Sequence, residues 1–517
     1  SRARGPIVAL LFGLAPLLPG LAHGFYRDDF WWLEQSFLSL REPLHLFDPW
    51  LSGFFRPLGQ TAFFAQFLVF RFEPLPYNLV SLALHGWAGY LVGRLATALG
   101  AGAGSRGVAI ALFLVGTGHF AKPVMWACSQ PILIATSLLL TVVLGMIEDV
   151  RRRSSRAVAE PLPQPAGDDP GNRGGSLSGN EPGERGRRLR GGSGGLRRTS
   201  LLFVMGASIP FFHDLFGLVP LGLAAFAVLL GHRSRKWLAP AWIGTGVVIL
   251  ALTAPFHAHV SQDNGIGWHV LFNGLHYLAV LIAPIVNGDR MGAALNTVIG
   301  GSSGAAASEN SGGGSWIAIL PTAVIVTIGV VVAIVLIVGW NHVRRGGVWQ
   351  GTADDSVGAH PSRQTAGDSF RTALALAALA ACLVAPPLIV DHGVRWIDAR
   401  YAYPFSAVLT PLLVLAGRAW FARGEHTSED ARRTPTRLLG GRQAEPRRAA
   451  EQRGGSSGRN EGRRRARTIL VGIWYFLVLV GSIEMVRESI AEGNDPRTAE
   501  RWERIESVRR GGAATTR

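Results

Sequence analysis

Residues 25–58 read FYRDDFWWLEQSFLSLREPLHLFDPWLSGFFRPL. The stretch sets two adjacent carboxylates, Asp28 and Asp29, among Phe25, Tyr26, Phe30, Trp31 and Trp32, and it closes on Arg56 and Pro57. Such a mixture cannot lie in hydrocarbon, and aromatic side chains with an apolar body and a polar tip collect where a membrane meets water. The stretch is therefore expected to lie along that boundary as interfacial helices, its carboxylates facing water or a cavity. A pair of acids at such a surface is a candidate general base.

What flanks the stretch decides the fold class. Apolar segments occupy residues 6–22 and 76–95 on either side, and others recur at 108–118, 131–146, 200–212, 215–230, 238–256, 268–286, 316–338, 372–390, 405–416 and 469–483. Hydrophobic residues make up 48% of the 517, only 17% are charged, and the mean hydropathy is +0.24, too apolar and too blocked for an ordinary soluble enzyme. Lipid offers the backbone no hydrogen bonds, so such segments must be helices, and the strict alternation of a barrel is missing. The expected fold is all-α, a polytopic transmembrane bundle of about eleven spans.

Residues 6–22 follow Arg2 and Arg4, and no small-residue cleavage site precedes the acidic pair, so they read as a first span with the amino terminus inside rather than as a removed signal. The loops 341–371 and 418–467 both carry an arginine excess and belong inside. That parity requires one stretch between 257 and 340 not to cross. Residues 268–286, with His269, Asn273, His276 and Tyr277, are assigned as an interfacial or re-entrant helix. The organisation then runs as an N-terminal membrane half (1–150) with its outer loop at 24–60, a disordered cytoplasmic insert (151–198), central membrane segments (199–340) and a cytoplasmic loop (341–371). Membrane segments carrying an outer RYAYP motif (372–417), a second disordered basic insert (418–467), and a last span with a short outer tail (468–517) complete it.

The formal net charge of +16 is nearly all arginine, since lysine occurs only at 122 and 236. These arginines sit in loops poor in hydrophobic residues, which the positive-inside rule explains without a nucleic-acid partner. Cys128 and Cys382 define neither a disulfide framework nor a metal cluster. The glycine runs near 191–195 and 300–314 lack the strand-to-helix setting of a phosphate loop and read as linkers.

With this topology, separate polar islands fall on one side: Asp28 and Asp29 with Arg56; His119 with Trp126; His213 with Asp214; and Arg400 with Tyr401 and Tyr403. Each has an ordinary explanation alone, as a solvated loop, an interface histidine or belt aromatics. Cations beside carboxylates between spans are also what a site needs if it must deprotonate a hydroxyl and hold an anionic leaving group. Asn78 and His85 share one helical face and are read as fastening spans together, with ligand binding as the alternative.

The order of motifs resembles the lipid-linked sugar transferases of the glycosyltransferase C-type (GT-C) fold, in the branch of the protein O-mannosyltransferases and their tetratricopeptide-bearing relatives. The residues that carry the likeness are Asp28 and Asp29 after the first span, FRPL at 55–58, YNLVSLALH at 77–85, GHFAKPVMWACSQPIL at 118–133 and RYAYP at 400–404. The resemblance implies a polyprenyl-phosphate-linked sugar donor and a glycan, lipid or protein acceptor. Asp28 or Asp29 would be the base in an inverting transfer. Arg56, His119 and Arg400 become candidates to balance the phosphate charge, with Trp126, His213, Asp214, Tyr401 and Tyr403 lining the substrate. No cofactor is required, no residues are assigned to a metal, and dependence on a divalent ion is left open, as arginine alone can stabilise a phosphate leaving group. Two departures stand out: relatives often carry Lys-Glu where this chain has His213 and Asp214, and the long repeat-bearing tail is replaced by a short arginine-rich stretch. The implied location is the plasma membrane, with the site on the outer face. The rival readings are a transporter or flippase, which predicts ionisable residues deep in several spans and an internal repeat, and a non-catalytic assembly protein. The spans here are almost free of charge and show no repeat.

Overall fold

The computed structural model describes residues 4–22, 24–25, 28–47, 55–115, 124, 126–159, 192–213, 216–232, 234–257, 275, 363–389, 402–416 and 496–510. Every regular element among them is helical. In chain order these are α1 (Arg4–Leu14), running into a 3₁₀ segment Ala15–Ala22; α2 (Asp29–Ser39); a 3₁₀ turn Pro43–Phe47; α3 (Pro57–Phe70); α4 (Pro74–Ala98); and α5 (Ala103–Val115). There follow a 3₁₀ turn Ala127–Ser129, α6 (Gln130–Ala159), α7 (Gly192–Ser208), a 3₁₀ turn Ile209–Phe211, α8 (Val219–Leu229), α9 (Arg235–His257), α10 (Arg363–Ile389), α11 (Ala402–Ala416) and α12 (Pro496–Arg509).

Local sequence explains the boundaries. Pro57 and Pro74 open α3 and α4, where the missing N–H would have been unpaired and the fixed φ suits a first turn. Helix α4 ends at Gly100, φ +92°, with Ala101 N–H donating to Ala96 O at 2.9 Å; α8 ends the same way at Gly231, φ +71°, with His232 N–H donating to Ala227 O at 3.0 Å.

The stretches Gly5–Ala22 and Ala127–Arg153 are long and apolar enough to cross a membrane. Pro57–Phe70, Ala103–Leu114, Val219–Leu229, Arg371–Pro386 and Ala402–Ala416 are shorter apolar helices. Large apolar side chains face outward, among them Ile7, Val8 and Leu11 on α1 and Val247, Val248 and Leu252 on α9, a surface suited to lipid rather than water. Nearly all of 268–286, 316–338 and 469–483 lies outside the described residues, and with it the expected span count and the re-entrant assignment.

Small residues let the helices approach closely. A β-carbon on Gly89 or Gly93 would lie 2.6 Å from Leu114 or Ile110, so α4 and α5 run antiparallel with backbones nearly touching. Helix α6 runs alongside α4 in the same direction: Gln130 bonds Tyr77 O at one end and Arg151 bonds Ala98 O at the other. Helix α7 returns against α6, where a β-carbon on Gly145 would meet Leu202 at 2.7 Å. The described bundle thus has two ends. One carries Asp29, Tyr77, Gln130 and the turn Ile209–Phe211. The other carries Glu148 and Asp149, with Arg94 Nη2 2.7 Å from Glu148, Arg198 Nη1 3.0 Å from Asp149, and buried His232 Nε2 3.6 Å from Asp149.

At the two ends of the insert expected at 151–198, α6 continues to Ala159 and α7 begins at Gly192, while 160–191 lie outside the described residues. Adding residues to an existing helix costs far less than nucleating one, and arginine is a good helix former. For the same reason α10 begins at Arg363, inside the loop expected at 341–371.

Candidate functional site

Helix α2 begins at the acidic pair, and the pair divides into unlike halves. Asp29 is 1% exposed, and its Oδ1 accepts the Cys128 N–H at 2.7 Å. That charge-assisted bond fastens α2 to the turn Ala127–Ser129. Asp28 is half-buried at the helix cap, its carbonyl accepting from Trp31 N–H at 3.1 Å and Trp32 N–H at 3.2 Å, while its carboxylate makes no capping bond. Adjacent acids therefore stand in different surroundings: one is a buried anchor, the other is half-buried.

Aromatic rings wall the pair. Phe25, Phe30, Trp32, Leu33, Phe63, Phe67, Tyr77 and Trp126 form one buried cluster, with Tyr77 at its centre 5.4 Å from Phe25, 5.2 Å from Phe63 and 5.5 Å from Phe70 between ring centroids. The Tyr77 hydroxyl donates to Arg71 O at 3.0 Å, and Arg71 holds φ +54°, an unusual backbone for a side chain of that size. A polar layer lies beside the rings. Gln130 Nε2 lies within hydrogen-bond distance of Tyr77 O at 2.8 Å and Ser81 Oγ at 2.9 Å, and Gln66 Nε2 donates to Gln130 Oε1 at 2.6 Å. Gln60 Nε2 donates to Gln35 Oε1 at 3.2 Å, and Gln35 Nε2 to His45 O at 2.6 Å, joining α3 to α2 and the turn after it. Among the described residues, Gln60 Oε1, Gln66 Oε1 and Ser129 Oγ are buried without a hydrogen-bond partner.

Arg56 caps α3, half-buried, its carbonyl accepting from Gln60 N–H at 2.9 Å. The start of α3 lies against the turn before His213: a β-carbon on Gly59 would be 2.6 Å from Phe212 O, and the Phe55 and Phe211 rings are 6.5 Å apart. His213 is buried, 4% exposed.

Of the residues singled out from the sequence, Asp28, Asp29, Arg56, Trp126 and His213 lie at this one end of the bundle. Tyr403 does not share the aromatic cluster. It is fully buried in the main core, with its hydroxyl 2.9 Å from His85 Nδ1, while His85 Nε2 points at Leu114 O at 3.4 Å. In the tautomer that serves both contacts, Nε2–H donates to Leu114 and the Tyr403 hydroxyl donates to Nδ1. This bond joins the motif at 77–85 to the motif at 400–404. His119, Asp214, Arg400 and Tyr401 lie outside the described residues. Gln130, Gln66, Ser81 and Cys128 were not singled out, although a glutamine at the very start of an uncharged apolar segment is a readable signal.

No family model matches this chain, and no curated protein matches it. Among solved structures, the chain is similar to a crystal structure of ArnT from Cupriavidus metallidurans bound to undecaprenyl phosphate, at 14% sequence identity over 84% of this chain and 80% of that one, with a TM-score of 0.29. A likeness at that score does not establish a shared fold.

Proposed function

We propose that this chain is an integral membrane glycosyltransferase of the GT-C kind. It moves a sugar from a polyprenyl-phosphate donor to an acceptor hydroxyl at the Asp29 end of the bundle, on the outer face of the plasma membrane. The carrying observation is the unequal acidic pair. A base must reach the acceptor proton, which suits half-buried Asp28; Asp29, sealed and bonded to Cys128 N–H, is suited to fixing the turn that presents it. Asp28 takes the proton as the acceptor oxygen attacks the anomeric carbon from the face opposite the departing phosphate, so the configuration inverts and no covalent intermediate forms. Arg56, at the same end, is placed to offset charge on the lipid phosphate, with His119 and Arg400 as further candidates. A lipid-linked donor also accounts for a site beside apolar helices, since the lipid tail stays in the bilayer while the headgroup meets the acceptor.

The test is a reconstitution of the full chain in liposomes with polyprenyl phosphate bearing a radiolabelled sugar and a crude envelope acceptor fraction. Label moving from lipid to acceptor with release of polyprenyl phosphate is expected. Label that crosses the bilayer while still attached to lipid would establish the transporter reading instead.

A further inference from the structure

The transfer chemistry above makes no use of α12, yet α12 lies directly on the helix that begins with the acidic pair. Trp502 meets Phe30 at 5.2 Å, Phe72 at 5.9 Å and Phe25 at 6.4 Å between ring centroids, each near edge-on, and Ile505 is 3% exposed in the same cluster. The Arg501 guanidinium sits 5.9 Å over the Phe30 ring and that of Arg504 5.5 Å over Trp31, and Arg504 Nε is 2.9 Å from Glu34 Oε1. Glu500, Glu503 and Glu506 face away, exposed. Helix α12 is thus amphipathic and clamped to α2 by rings and one ion pair.

The rings under Trp502 come from separate pieces of chain. Phe25 precedes the acidic pair, Phe30 follows it, and Phe72 lies in the turn between α3 and α4, next to Arg71 with its positive φ. One indole therefore brackets Asp28 and Asp29 from both sides and ties them to the turn that leads into Tyr77. We propose that Trp502 is a positioning residue of the transfer site: wedged among Phe25, Phe30 and Phe72, it fixes the first turn of α2 and with it the reach of the Asp28 carboxylate. This rests on the reading of Asp28 as the base. Misplacing a reacting group by about 1 Å costs up to about a hundredfold in rate, whereas donor binding through phosphate and lipid tail does not depend on that turn.

The experiment uses the full-length chain in nanodiscs. Trp502→Ala should lower kcat by about tenfold to a hundredfold while leaving donor KM within about twofold, and Trp502→Phe should recover most of the rate because an edge-on ring is retained. Seating of α12 is read separately: Glu34→Cys with Arg504→Cys should be joined by a short bis-maleimide, detected by mass spectrometry of the peptides. An unchanged kcat in Trp502→Ala, an equal loss in Trp502→Phe, or absence of the cross-link overturns the proposal. Full transfer by Asp28→Asn overturns the base assignment instead, and the cross-link still reports on α12.

Discussion

Replacing Tyr403 by Phe removes one oxygen from the middle of the protein and leaves every apolar contact in place. His85 and Tyr403 are both fully buried, 2.9 Å apart at Nδ1 and Oη, with Phe113 packed 5.5 Å from the His85 ring and 5.3 Å from the Tyr403 ring. Water cannot replace the lost hydroxyl, so Nδ1 is left a buried acceptor without a donor, at a cost of about 1–3 kcal/mol. His85→Ala removes an acceptor from the Tyr403 hydroxyl and opens a space beside Phe113, and should cost about 2–5 kcal/mol. Part of each loss is the same bond, so the double variant should cost less than the sum, by about 1 kcal/mol, between the ~0.6 typical of polar pairs within membranes and the upper range for residues in direct contact. Unfolding by denaturing detergent, followed by circular dichroism for the parent, both single variants and the double, gives the coupling directly. If the single losses add to within about 0.5 kcal/mol, the two motifs are not joined by this bond.

Asp29→Ala leaves the Cys128 N–H without its acceptor and should destabilise by about 1–3 kcal/mol, whereas Asp29→Asn keeps an acceptor oxygen and should cost less; thermal unfolding in detergent ranks them. Gly59→Val would drive a side chain against Phe212 O and Pro131, already 2.6 Å and 3.1 Å from a β-carbon there, and should cost about 1–3 kcal/mol, with retention of parental stability as the contrary result. Burial and the nearby Arg153 push the pKa of His232 down, against the pull of Asp149. The unfolded chain then takes up a proton near the ordinary histidine value of about 6.5 before the folded protein does. Stability is therefore full above that value and falls as the pH drops from there toward the lowered folded pKa. Replacing His232 by Gln should flatten that decline in unfolding free energies measured from pH 8 to pH 5.

Helices within 25–58 are expected from the way charges and amphipathic rings crowd a stretch between apolar segments, and α2 and the turn Pro43–Phe47 lie there. Helix α3 was not read as a helix, since its fourteen residues are too few for a span and Gln60 and Gln66 break its apolar face. Nothing in two neighbouring aspartates distinguishes them; the difference comes from Cys128, far along the chain. His85 was read correctly as a fastener, but its partner is 318 residues away, a pairing that no periodicity reports. Tyr403 was grouped with Arg400 and Tyr401 because they are sequence neighbours, yet it opens α11 and points into the core, away from the aromatic cluster. The seat of α12 was hidden for the same reason, although an indole on the apolar side of a charged amphipathic helix was a hint that something receives it.

The proposed division of labour between the two aspartates can be read directly from transfer rates. Initial rates of sugar transfer from a labelled polyprenyl-phosphate donor should be compared for the parent, Asp28→Asn and Asp29→Asn, each first shown to unfold cooperatively. Asp28→Asn is expected to lose about 10²–10⁴-fold in kcat, the span of a general base, and Asp29→Asn to keep much of the parental rate. Parental transfer by Asp28→Asn, or a loss confined to Asp29→Asn, would contradict it.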